Sequence, residues 1–209
     1  MNIIAASSNI ALKRFKLVSN IFHPWVVLVP VLASAAYQAT GNSLECIKWT
    51  PAAYLPAVMF PFLYTKARAV MLSRGGIPHK VSRSLVRNEP EQLLIMTGLF
   101  GVPSILILHF FNGPDNLSAI MLGCTAVMLV IALVNLKYRA SFHLSMVTTM
   151  LTALWFLFGP VYLTTFILLP VLGFSRYQLG EHTPAQMVTG FLIGLVVSSS
   201  IFYRLGLGA

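Results

Sequence analysis

Acidic residues are almost missing from this chain. Five Asp and Glu are spread over 209 residues, and all charged residues together make up 9% of the sequence, against about a quarter in an ordinary soluble domain. A water-soluble globule is excluded on that ground, because 57% of the chain is hydrophobic and one domain of this size cannot hide so much apolar surface behind so few charges. Cysteine is scarce too. Cys46 falls in a predicted loop and Cys124 in the middle of an apolar run, so no structural disulfide is expected, and no metal-ligand spacing exists. Long basic runs are also missing. The 14 Lys and Arg give a net charge of +9, yet the longest run is Lys13-Arg14, which is not the clustered basic face of a nucleic-acid binder. The natural solvent of such a chain is a bilayer.

What is there instead is a series of charge-free stretches at 17–44, 49–65, 92–114, 116–136, 140–175 and 182–203. Each is about long enough for one crossing of roughly 20 residues, except 140–175. As one helix those 36 residues would run about 54 Å, well beyond a hydrocarbon core of about 30 Å. That run must turn back, and Gly159-Pro160 is the break, since proline removes a donor and biases the residue before it away from the helix. Seven helices are therefore expected, at 17–38, 51–71, 92–112, 117–137, 142–158, 161–175 and 184–206. The fold class is all-α, a polytopic transmembrane bundle of about six to seven membrane helices. Residues 1–16 carry Lys13, Arg14 and Lys16 only at their end; they do not resemble a cleavable signal and predict a short interfacial helix. No long repeat interrupts the pattern, so 1–209 is expected to form one domain.

Orientation follows from the cations near the spans. Lys13, Arg14, Lys16, Lys66, Arg68, Arg74, Lys80, Arg83, Arg87, Lys137, Arg139 and Arg176 fall on the amino-terminal side, and only Lys48 and Arg204 on the other. The amino-terminal side is predicted to be cytoplasmic, in a cell membrane.

Three polar segments follow the second, fourth and sixth predicted helices and so share one membrane face. The first holds Lys80, Arg83, Arg87, Asn88, Glu89 and Pro90; the second is Ala140-Ser141-Phe142-His143; the third runs from Ser175-Arg176 through Glu181-His182-Thr183-Pro184 to Gln186. They bring together two histidines, fixed cations and a serine, with no paired carboxylates. A metal-free phosphate ester site needs such a set. Cations neutralise the phosphoryl oxygens, one histidine attacks phosphorus, and another protonates the departing oxygen. Arginine binds two oxygens with its planar fork, and histidine titrates near working pH.

These segments resemble the type-2 phosphatidic acid phosphatase superfamily, which includes the vanadium haloperoxidases. Its motifs are a lysine, six residues and Arg-Pro; Pro-Ser-Gly-His; and Ser-Arg, five residues, a histidine, three residues and an aspartate. Lys80 and Arg87 have the first spacing, Ser141 and His143 match the second motif, and Ser175, Arg176 and His182 match the third. The resemblance covers about 66–206. It implies that His182 is the nucleophile forming a phosphohistidine, and that His143 is the general acid that later helps activate water. It further implies that Lys80, Arg87, Arg176 and Ser141 hold the phosphate, with no metal and no cofactor. The implied partners are a lipid or isoprenoid phosphate substrate and the surrounding membrane lipids, with no nucleic acid.

The chain departs from the family at four motif positions. Asn88 and Ala140 replace prolines, Phe142 replaces a glycine, and Gln186 stands where an aspartate orients the nucleophilic histidine. Two further helices also separate the first motif from the second. An amide oxygen still accepts from the ring nitrogen, but carries no charge to stabilise an imidazolium. Gln186 has a second reading as the third residue of a helix whose cap is Thr183 and whose first residue is Pro184. His23 and His109, at or in apolar helices, read as packing residues, and Lys137 and Arg139 as topological anchors. The stripe Gly190-x-x-x-Gly194 reads as a close helix contact. The function expected is hydrolysis of a lipid phosphate monoester or isoprenoid diphosphate. The alternatives are a lipid phosphotransferase using the same phosphohistidine, or a non-catalytic membrane binding or transport relative.

Overall fold

The computed structural model describes residues 2–75 and 90–207. Among them every regular element is a helix: α1 (Asn2–Ile21), α2 (Pro24–Thr40), α3 (Ser43–Arg74), α4 (Pro90–Phe110), α5 (Asp115–Asn135), α6 (Phe142–Phe158), a 3-10 segment (Pro160–Ile167) running into α7 (Leu168–Gln178), and α8 (Pro184–Arg204). Four segments of the described residues are long and apolar enough to cross a membrane, Leu12–Thr40, Glu91–Phe110, Asp115–Asn135 and Pro184–Arg204.

Local chemistry explains where the helices start and stop, and where they differ from the expected bounds. The predicted span 17–38 is two helices. Pro24 has no N–H to give and sits at the first helical position of α2, while His23 is extended at φ −65° and ψ 135°. The helix expected from 51 starts at Ser43, because Asn42 caps it by accepting from the Leu44 N–H at 2.8 Å. It then runs on through Pro51, Pro56 and Pro61. Ala53, Pro56, Ala57 and Pro61 lie on its buried side, so Pro56 and Pro61 face packed neighbours, while Pro51 is exposed.

The break at Gly159 falls where the sequence places it, with φ at 87°, a left-handed value that suits glycine. The returning limb is more extended than a plain helix. Pro160–Ile167 is 3-10, rising about 2.0 Å per residue, and α7 adds about 1.5 Å per residue, so the limb reaches roughly 32 Å. An α-helix over 161–175 alone would reach only about 22 Å.

α6 is the centre of the molecule. Every residue from Leu144 to Ala153 is buried, the all-round burial of a core helix. It packs against α2, α5, α8 and the 3-10 limb. Its polar residues are mostly satisfied within the helix: the Thr149 hydroxyl donates to Ser145 O at 2.9 Å, and the Thr152 hydroxyl to Thr148 O at 2.8 Å. The tightest contact is with α8. Gly190 and Gly194 lie against the α6 backbone, so that a Cβ would come within 2.4 Å of Ser141 O at Gly190 and within 2.4 Å of Ser145 O at Gly194.

Two substitutions test this contact with opposite signs. Gly194→Ala meets a carbonyl that cannot swing aside, and overpacking of this kind costs about 1–3 kcal/mol, more than the helix-propensity gain of at most about 1 kcal/mol. Gly98→Ala in α4 meets nothing within 4 Å. Thermal unfolding in detergent is expected to show a lower midpoint for Gly194→Ala and no lowering for Gly98→Ala.

Candidate active site

The second and third motif segments meet at the start of α6 and α8. The Ser141 backbone N–H donates to Gln186 O at 3.0 Å, which the glycine contact one turn further along α8 makes possible. Ser141 is the N-cap of α6, yet its hydroxyl makes no capping bond. It is fully buried and has no hydrogen-bond partner among the described residues. An orphaned buried hydroxyl costs about 1–3 kcal/mol, which a ligand oxygen would relieve.

His182 stands just before α8. Thr183 caps that helix, accepting from the Gln186 N–H at 3.3 Å, and Gln186 Oε1 returns the bond by accepting from the Thr183 N–H at 3.1 Å. The same Oε1 lies 3.4 Å from His182 Nδ1. Gln186 therefore both caps α8 and faces the imidazole. With Nδ1–H donating to the amide oxygen, Nε2 keeps its lone pair, the tautomer that a nucleophile requires.

Burial of the His182 ring lowers its pKa from 6.5 as the largest effect. The acceptor on Gln186 opposes this, the Arg176 charge lowers it further, Glu181 opposes, and Arg139 lowers it again. The net result favours the neutral ring. Arg176, in the last turn of α7, is the hub of the charge cluster. Its Nη1 donates to Ser19 Oγ of α1 at 3.0 Å, and its Nη2 pairs with Glu181. Ser175, beside it, donates to Phe15 O at 2.5 Å, and the Phe15 and Phe174 rings meet edge to face at 5.6 Å. These contacts seat α1 on α7. His143, in the first turn of α6, lies edge to face with His23 at 4.9 Å between ring centroids.

The structure thus brings Ser141, His143, Arg176, His182 and Gln186 to one end of the bundle. Lys80 and Arg87, with Asn88, lie outside the described residues. Three contributors were not legible as site residues. His23 was read as a packing residue, and Ser19 and Glu181 carried no motif. Arg139, read as an anchor, acts on His182. The signal at His23 was the His-Pro pair, which marks a helix start inside an apolar run. Among the described residues no group of three His, Cys, Asp or Glu is placed to hold a metal ion. A comparison with family models, curated proteins and solved structures finds no match to the chain.

Ring titration of His182, followed by NMR on histidine-labelled protein, tests this electrostatic account. The midpoint is expected below 6.5 in the wild type. Gln186→Glu keeps the capping geometry but places a carboxylate at the ring, so the midpoint should rise. A midpoint unchanged by Gln186→Glu contradicts the His182 contact.

Proposed function

We propose that the chain is a multi-pass membrane phosphatase hydrolysing a lipid phosphate monoester or an isoprenoid diphosphate through a phosphohistidine. The observation that carries this reading is the Ser141–Gln186 backbone bond, which joins the N-terminal ends of α6 and α8 and so sets His143, His182 and Arg176 at one face. It is supported by the lone pair left on His182 Nε2 and by the unpartnered hydroxyl of Ser141. In this reading the bundle crosses a cell membrane six to seven times, and a lipid-tailed substrate enters from the side with its phosphate in the cationic mouth.

The phosphoryl oxygens are held by Arg176, Lys80 and Arg87, with the Ser141 hydroxyl as a further donor. His182 Nε2 attacks phosphorus, the bond to the ester or bridging oxygen breaks, and His143 protonates that oxygen. The alcohol leaves, or the prenyl monophosphate in the case of a diphosphate. Water then attacks the phosphohistidine, His143 takes a proton from it, the P–N bond breaks, and inorganic phosphate departs. Fixed cations neutralise the charge throughout, so the scheme requires no metal or cofactor. Glu181 pairs with Arg176 in the absence of substrate, and the incoming phosphate competes with that carboxylate for the guanidinium.

Phosphate release by the purified protein in detergent, from phosphatidate, phosphatidylglycerophosphate and prenyl diphosphates, is the direct test. Release is expected to survive a chelator, to be inhibited by vanadate, and to fall on the order of 10³-fold or more in His182→Ala. No release from any of these substrates, where a positive control works, overturns the hydrolase. Transfer of the phosphoryl group to an added alcohol in preference to water would make it a phosphotransferase.

Of the eleven Lys and Arg among the described residues, all but Lys48 and Arg204 fall on the side of this site, which makes that face cytoplasmic under the positive-inside rule. Tyr138 is exposed there. With both natural cysteines replaced, Tyr138→Cys is expected to resist an impermeant thiol reagent in intact cells and to react after permeabilisation. Labelling in intact cells reverses the orientation.

A further inference from the structure

The site face carries a third imidazole that no motif includes. His23 is set rigidly at the junction of α1 and α2. Its backbone is extended, Pro24 follows it in the core, and its Nδ1 accepts from the Trp25 N–H at 3.3 Å. The Trp25 ring is itself packed against Phe100 at 5.5 Å. The ring of His23 is therefore fixed at one nitrogen by α2 and presents its remaining edge and faces toward the site.

Its neighbour there is His143. The two rings are almost perpendicular, at 87° with centroids 4.9 Å apart. The Phe142 ring stands at 85° to His143, 6.2 Å away. The imidazole of His143 thus meets two rings, each nearly perpendicular to it. This matters because rotation of a histidine ring about its outer bond is soft and broad. A proton donor, by contrast, works only when its N–H lies along the line to the departing oxygen at about 2.6–3.2 Å.

We propose that His23 is a positioning residue for the proton donor, holding the ring plane of His143 by edge-to-face contact so that its N–H meets the leaving oxygen. The inference rests on the phosphatase reading above. His23 has two separable roles, since Nδ1 caps α2 and the ring braces His143. Asparagine is a strong N-cap without a ring, so His23→Asn keeps the first role and removes the second. His23→Phe keeps a ring and removes the cap.

The readout is the dependence on the leaving group. An alkyl phosphate releases a basic alkoxide that needs the proton, whereas a long-chain nitrophenyl phosphate releases an anion that leaves without one. kcat/KM for both esters is measured in wild type, His23→Asn, His23→Phe and His143→Ala. General acid catalysis contributes about 10²–10⁴-fold, so His143→Ala should lose that much on the alkyl ester and little on the nitrophenyl ester. His23→Asn is expected to lose about 10- to 100-fold on the alkyl ester, with less than about threefold change on the nitrophenyl ester. His23→Phe should stay closer to wild type on both. Equal losses on the two esters in His23→Asn reduce His23 to a packing residue and overturn the proposal, as does wild-type behaviour on both. A wild type that turns over neither ester overturns the phosphatase reading, and this inference with it; a wild type active on both, with no leaving-group difference in His23→Asn, overturns the inference alone.

Discussion

The close approach of α8 to α6 is the constraint on which the site depends. Gly190 and Gly194 bring the α8 backbone against the carbonyls of Ser141 and Ser145, and that distance lets the Ser141 N–H reach Gln186 O. Helix starts are where orphan N–H groups and positive dipole ends gather. Two of them, joined by a backbone bond, form an electropositive corner before any side-chain charge is counted. A larger residue on the stripe would separate the helices and part His182 from the segment that carries Ser141 and His143. Ser145 and Ser198, buried on these two helices, donate to Phe142 O and Gly194 O within their own helices, and small polar side chains satisfied in this way allow helices to pack closely in an apolar medium.

Around that corner the charges are arranged economically. Arg176 reaches from α7 to Ser19 of α1 and to Glu181, and its field extends to His182 and His23. A guanidinium partly shielded from water would be costly without partners, and here a hydroxyl and a carboxylate supply them. Glu181 thereby stands where an anionic ligand would stand. The carboxylate beside Arg176 and the amide beside His182 divide two roles. The carboxylate steadies the cation while the ligand is absent, and Gln186 orients the imidazole without adding a negative charge that would draw a proton onto it. A neutral orienter and a buried ring both favour the unprotonated form of His182, the form with a lone pair to donate.

The linear order of polar and apolar residues revealed most of the described helices and the common face of the second and third polar segments. The helices show as apolar, charge-free stretches about one crossing long, separated by polar and turn residues, and Gly159-Pro160 is an unambiguous break. The pattern misread the regions where proline acts in opposite ways. Pro24 starts a helix inside an apolar run, while Pro51, Pro56 and Pro61 interrupt none, a difference that the residue type alone does not carry. The spaced residues Ser141, His143, Arg176, His182 and Gln186 stood out because their separations are local to a helix start and its preceding loop and so can be read along the sequence. His23 and Ser19 did not, because each acts across a tertiary contact with a partner far away in the chain; Glu181 did not, because it lies among the unspecified residues between Arg176 and His182 although its partner is only five residues away.

By itself, the sequence determined the solvent, the helical class, the turn at Gly159 and the chemistry available at one end of the bundle. These follow from composition, periodicity and local backbone preference, all of which are properties of short segments. Only the tertiary structure decided that α1 closes on Arg176 and that the Ser141 N–H meets Gln186 O. It alone set the ring of His143 against that of His23. Those arrangements depend on distances of a few ångströms between helices, which are set by the glycines of α8 and the packing around α6 and are encoded by no single segment of the chain.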